Sequence, residues 1–162
     1  MEQPLKLLFL CTGNSCRSII GEALVNHLGD GQIVARSAGS QPTGRVHPRA
    51  LAVLQRHGVP VNEPSSKSMD DLEGEHFDAI VTVCDAAAGE ACPVWLSDAA
   101  KVHWGIADPA AVGGDDATVE AAFEDTFDQL RRRVDALVDL DLATTNPLGL
   151  TASMQKIHRD LC

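Results

Sequence analysis

The chain has 162 residues, 13 Lys+Arg against 23 Asp+Glu, a formal net charge of −10, and 44% hydrophobic residues. That length fits one domain, which buries about 70% of its unfolded surface and needs no disulfide or metal staple to fold. The acidic balance weighs against nucleic acid or an anionic membrane as a main partner, because both demand a basic patch, and the apolar content excludes a disordered acidic tail.

Leu5 to Leu10 is an apolar run broken only by Lys6, the pattern of a parallel strand buried on both faces. The run is too short for a secretory leader or a membrane span, so a cytoplasmic location is expected. Thiols are kept reduced there, and the five cysteines point to catalysis, redox exchange or metal rather than a disulfide framework. Ser18 to Leu28 has helical apolar spacing, with Gly29 placed to end it. Ile33 to Ala35 is a second strand, and Pro48 opens a helix that ends at Gly58. Phe77 to Val83 is a third strand and Lys101 to Trp104 a fourth.

Thr118 to Leu142 is the longest predicted helix, with Val119, Phe123, Phe127, Leu130, Val134 and Leu137 on one stripe. Its Arg131-Arg132-Arg133 triplet reads as a solvated face. Asn146 to Gly149 breaks the chain from that helix, and Thr151 to Leu161 forms a short final one. Strands alternating with helices imply an α/β fold around a parallel sheet, with ligands at the carboxyl ends of the strands.

The first strand runs straight into Cys11-Thr12-Gly13-Asn14-Ser15-Cys16-Arg17-Ser18, where a helix begins. Gly13 and Asn14 tolerate positive φ, so successive N–H groups from Thr12 to Arg17 can turn inward around an anion. The helix N-terminus adds its unpaired donors, and Arg17 a planar fork for two oxygens of a tetrahedral oxyanion. This positive field is expected to make Cys11 a thiolate nucleophile. Cys16 reads as a buried cysteine pointing toward the helix.

Cys84 ends the third strand, and Cys92 follows eight residues later in a stretch containing Gly89 and preceding Pro93. A helical stretch would separate them by about 12 Å, beyond the ~7 Å a disulfide tolerates, so pairing requires it to unwind. Core thiols, a metal pair and a redox pair all remain open, with redox favoured. Asp108, extended by Pro109, reads by itself as an ordinary Asp-Pro turn; fixed near the anion loop, its carboxyl would be able to protonate a leaving oxygen. The six histidines form no metal-site spacing.

Cys11-x5-Arg17-Ser18, Ser37-Ala38-Gly39 and Asp108-Pro109 resemble the low-molecular-weight protein tyrosine phosphatases. Cys-Thr-Gly-Asn-Ser-Cys-Arg-Ser and His103-Trp104-Gly105 are more similar still to the arsenate reductases of that fold. The resemblance implies a three-layer αβα domain with a four-stranded parallel sheet over residues 1–142, and a C-terminal extension over 143–162 without an assigned role. It implies arsenate as substrate, Cys11, Arg17, Ser18 and Asp108 as catalytic residues, and a thiol relay from Cys11 to Cys84 to Cys92. A thioredoxin-type donor, or glutaredoxin, would close the cycle of a monomeric enzyme that uses no cofactor.

Some such reductases hold potassium behind the loop. The matching positions here are Asn14, Glu22, Ser37, Ser65 and Lys67, and because Lys67 replaces an acidic ligand no metal is expected. The rival readings are a phosphatase using Cys11, Arg17 and Asp108, disfavoured by Ala110 and Ala111 in a chain without tyrosine, and a non-enzymatic thiol sensor.

Overall fold

A computed structural model describes residues 4–61, 64–84, 99–140 and 147–161. Four parallel strands, β1 (Leu5–Leu10), β2 (Ile33–Ala38), β3 (Ala79–Thr82) and β4 (Ala100–His103), form one sheet in the order β2-β1-β3-β4. In register, Leu10 of β1 stands opposite Ala38 on one side and Thr82 on the other. The central strands are those with near-continuous apolar runs: Leu7, Leu8, Phe9, Ala79, Ile80 and Val81 are all buried, as a sheet covered on both faces requires.

The helices are α1 (Arg17–Leu28), α2 (Pro48–Arg56), α3 (Asp116–Val138) and α4 (Pro147–Leu161). Pro48 occupies the first turn of α2, whose N-cap His47 accepts from the Arg49 N–H through Nδ1 at 3.1 Å. Asp115 caps α3 through the Thr118 N–H at 2.8 Å. Helix α1 lies directly on the sheet at Gly21, where a Cβ would meet the Phe9 ring at 2.8 Å. It packs against α2 and α3, while α4 packs against α3 and β4. No helix among the described residues is long and apolar enough to cross a membrane.

Elements fall where the periodicity places them, with shifted ends. β2 runs on to Ala38, β3 is shorter than the apolar run around it, and α4 starts at Pro147 rather than Thr151. The predicted end of the long helix, 141–142, lies outside the described residues. The Arg triplet divides. Arg131 and Arg132 form exposed i,i+4 pairs with Asp135 and Asp128, whereas Arg133 is 1% exposed. Helical geometry explains the correction: position 133 lies three residues beyond Leu130 and four before Leu137, on the buried stripe. Its cost is offset by hydrogen bonds to the Gln129 carbonyl at 2.8 Å and His158 Nδ1 at 3.1 Å.

Candidate active site

The sheet order puts β1 and β3 side by side while their following connections lead to opposite edges, to β2 and to β4. The crevice between two such carboxyl ends is where open α/β sheets bind ligands. Cys11 leaves β1 with its N–H on the Ala38 carbonyl at 3.3 Å, and Cys84 leaves β3 two residues past Thr82.

Between Cys11 and α1 the loop is held from outside by its carbonyls. The Thr12 carbonyl accepts from Gln41 N, Gly13 from Thr43 N, and Ser15 from His47 N, at 3.0, 3.0 and 2.9 Å. Ser66 Oγ also donates to the Gly13 carbonyl at 3.0 Å. In a trans peptide the N–H points opposite to the C=O, so these ties aim the Gly13, Asn14 and Cys16 N–H groups at the loop's interior. Asn14 makes the turn at φ +45°, a conformation its short amide side chain tolerates. Its buried side chain accepts from the Lys67 N–H and donates from Nδ2 to Ser18 Oγ, both at 2.9 Å. Gly39 is required underneath, because a Cβ there would lie 2.4 Å from the Thr12 carbonyl oxygen and 2.5 Å from that of Cys11.

Arg17 is the first residue of α1, and its side chain is 12% exposed. Nη1 donates to the Ile106 carbonyl at 2.8 Å, and Nη2 lies 3.8 Å from Asp108 Oδ2. Nε is buried with no hydrogen-bond partner among the described residues. A buried orphan donor on a guanidinium beside a ring of inward N–H groups describes an oxyanion seat. Asp108 caps a short 3-10 turn, Oδ1 accepting from Ala110 N at 2.9 Å, and its 42% exposed side chain stands at the mouth.

Two thiols meet at the seat. The Thr12 N–H donates to Cys84 Sγ at 3.4 Å, and Cys84 hydrogen-bonds the Cys11 thiol. The thiolate expected at Cys11 is not what the surroundings favour. Burial pushes its pKa up to about 11; Arg17 and the Gly13 N–H pull it down, and Cys84 pushes it further up. Desolvation of the charged form outweighs the positive field because the sulfur is almost fully enclosed. Cys16 is also buried, and burial again raises its thiol.

The predicted residues Cys11, Thr12, Gly13, Asn14, Ser15, Cys16, Arg17, Ser18, Cys84 and Asp108 thus gather around one crevice. Cys92 and Cys162 lie outside the described residues. The outer braces, Gln41, Thr43, His47, Ser66 and the Ile106 carbonyl, carry no sequence signal because most act through the backbone. Behind the loop a groove of about 630 Å³ is lined by Glu22, Arg36, Ser65 and Lys67 among others. Burial raises the Glu22 carboxyl and lowers the Lys67 ammonium, each acting on the other. Lys67 Nζ donates to the Ser65 carbonyl at 3.2 Å. The Lys67 ammonium already stands among these groups and acts on Glu22, a cation built into the chain, so this donor set does not fit a further metal ion.

The model of the low molecular weight phosphotyrosine protein phosphatase family matches residues 6–147. An arsenate reductase of Halalkalibacterium halodurans is 37% identical over 129 residues, 79% of this chain and 91% of its own. A glutaredoxin arsenate reductase of Synechocystis sp. is 28% identical over 133 residues, 82% of this chain and 95% of its own. A solved arsenate reductase in its phosphate-binding state superimposes with a TM-score of 0.68 at 27% identity, over 83% of this chain and 96% of that one.

Proposed function

The chain belongs to the low-molecular-weight phosphotyrosine protein phosphatase family, and from that premise we propose that it reduces arsenate to arsenite. The observation that carries this reading is the second thiol: Cys84 Sγ sits on the loop's own Thr12 N–H and against Cys11. Hydrolysis of a phosphoester has no use for a sulfur there, whereas reduction of an oxyanion needs one.

Arsenate seats on the inward N–H groups and the Arg17 fork. The Cys11 thiol passes its proton to an oxygen of the bound arsenate dianion, the sulfur attacks As(V), and an As–OH group is displaced as water with a second proton from Asp108. The Cys84 thiolate then attacks Cys11 Sγ. The electron pair of the S–As bond passes to arsenic, which leaves as As(III) arsenite, and a Cys11–Cys84 disulfide forms. Cys92 attacks Cys84, freeing Cys11 and leaving a Cys84–Cys92 disulfide, which a dithiol donor reduces by two-electron exchange. Ser18 braces the loop through Asn14. No step passes through a metal, Lys67 being the cation behind the loop. Thioredoxin is the proposed donor, with glutaredoxin the alternative.

The test is an arsenite-production assay with a thioredoxin system against glutathione plus glutaredoxin, on wild type and Cys92→Ser. Many arsenite equivalents per wild-type chain are expected, and about one from Cys92→Ser with thioredoxin. Undiminished cycling of Cys92→Ser with thioredoxin would remove Cys92 from the relay. Aryl-phosphate hydrolysis that survives Cys84→Ser, without arsenate-dependent thiol loss, would make the protein a phosphatase. A wild type that stops at one equivalent with either donor would make it a sensor.

A further inference from the structure

The family model ends at residue 147, the first residue of α4. The helix beyond that point is nonetheless seated in the core: Leu150, Met154 and Ile157 are buried, with Leu161 packed at the edge, a stripe at i, i+4, i+7 and i+11. Its backbone also reaches inward. The indole Nε1 of Trp104, which is wholly buried, donates to the Met154 carbonyl at 2.9 Å. A carbonyl in the middle of a helix already serves the helix ladder, so a second bond to it fixes the ring to one height along α4.

Trp104 starts the segment that carries the acid. Its N–H holds the Thr82 carbonyl at 2.8 Å and its ring lies 6.3 Å from that of Phe9. Two residues on, the Ile106 N–H holds the Val83 carbonyl at 3.1 Å while the Ile106 carbonyl receives Arg17 Nη1 at 2.8 Å. Two residues further stands Asp108, 3.8 Å from Arg17 Nη2. One short, extended stretch therefore sets both the guanidinium that grips the oxyanion and the carboxyl that protonates it. Its start is pinned from the far side by α4.

We propose that α4 is a positioning element for the reaction, acting through Trp104 as a positioning residue: the Trp104–Met154 bond holds residues 104–108 so that Arg17 and Asp108 face the seat together. The proposal rests on the reductase reading for its turnover arm only.

Two full-length variants test it. Trp104→Phe keeps the ring and removes the N–H; Ile157→Asp puts a charge on the buried face of α4 and undocks it. The first readout is the concentration of inorganic phosphate that protects Cys11 from iodoacetamide, which needs Arg17 in place but no arsenate chemistry. Each variant is expected to need about fivefold more phosphate, the worth of one hydrogen bond, at temperatures well below its own melting point. The double variant is expected to be no worse than Ile157→Asp alone, because both changes cut one linkage.

The second readout is arsenate turnover, where kcat is expected to fall at saturating arsenate. If α4 only adds stability, the variants melt at lower temperature while phosphate protection and kcat stay unchanged, and that result would overturn the proposal. Defects that add in the double variant would overturn it too. Should Ile157→Asp fail to fold, Trp104→Phe decides alone. Should wild type be protected by phosphate yet reduce no arsenate, the reductase reading fails while the protection arm still judges α4.

Discussion

Cys11 and Cys84 act on each other, and in the proposed reaction the proton on Cys11 is the first to move. Burial raises the Cys11 thiol to about 11 with a contribution from Cys84 beside it. Removing Cys84 should therefore lower the pH at which Cys11 becomes reactive. Alkylation of Cys11 by iodoacetamide, followed by mass spectrometry across pH, should show a midpoint near 11 in wild type and a distinctly lower one in Cys84→Ala; an unmoved midpoint would mean that the two sulfurs do not share a proton. The residue types were legible from sequence. A thiol, a Gly-Asn turn, an arginine six residues beyond the thiol and a later Asp-Pro are how the proposed nucleophile, cradle, clamp and acid look in one dimension. The protonation state was not, because it depends on how completely other elements enclose the sulfur. Nor were Ile106 and Ser66, which act through a carbonyl or a lone hydroxyl that no pattern marks.

At the scale of elements, periodicity located the four strands and four α-helices named above, since apolar runs and stripes are direct consequences of two-faced burial, but not the 3-10 turns at Met69–Leu72 and Pro109–Ala111. It misread Arg133, where composition outweighed position: three adjacent arginines look solvated, yet the stripe turns the third one inward onto His158 of α4. That contact gives α4 a pH dependence. His158 accepts from Arg133 through Nδ1, with the His103 ring 6.5 Å away, and burial, Arg133 and His103 all lower its pKa below the usual 6.5. A histidine held neutral in the fold binds its proton more readily when unfolded, so its contribution is present above about pH 6.5 and is lost as pH falls through that value toward the lowered one. The melting temperature should drop between about pH 7.5 and pH 5.5, and the drop should be smaller in His158→Gln, which keeps an acceptor and cannot charge. Equal slopes in the two proteins would place the sensitivity elsewhere.

For the whole molecule, a net charge of −10 surrounds a site built to take an anion. The two fields act at different ranges. The cradle and Arg17 work at contact, where screening is slight, while the acidic surface repels an approaching oxyanion from a distance. The Debye length is about 30 Å at 0.01 M ionic strength and about 10 Å at 0.1 M. Adding an inert salt over that interval should therefore raise kcat/KM for arsenate, by about threefold, the reverse of an electrostatically steered enzyme. A fall in kcat/KM over the same interval would show that the local positive field also governs the approach.

The carbonyls of Thr12, Gly13 and Ser15 are tied to residues dozens of positions away, in the stretch after β2 and at Ser66. A partly folded chain that has made β1 and α1 does not yet own an anion cradle; the cradle exists only once the tertiary structure has closed around it. An oxyanion therefore binds native molecules alone and lends its binding free energy to folding, about 2.7 kcal/mol at a hundredfold excess over its Kd. The ion on which the protein acts is, in that sense, also a ligand that protects its fold.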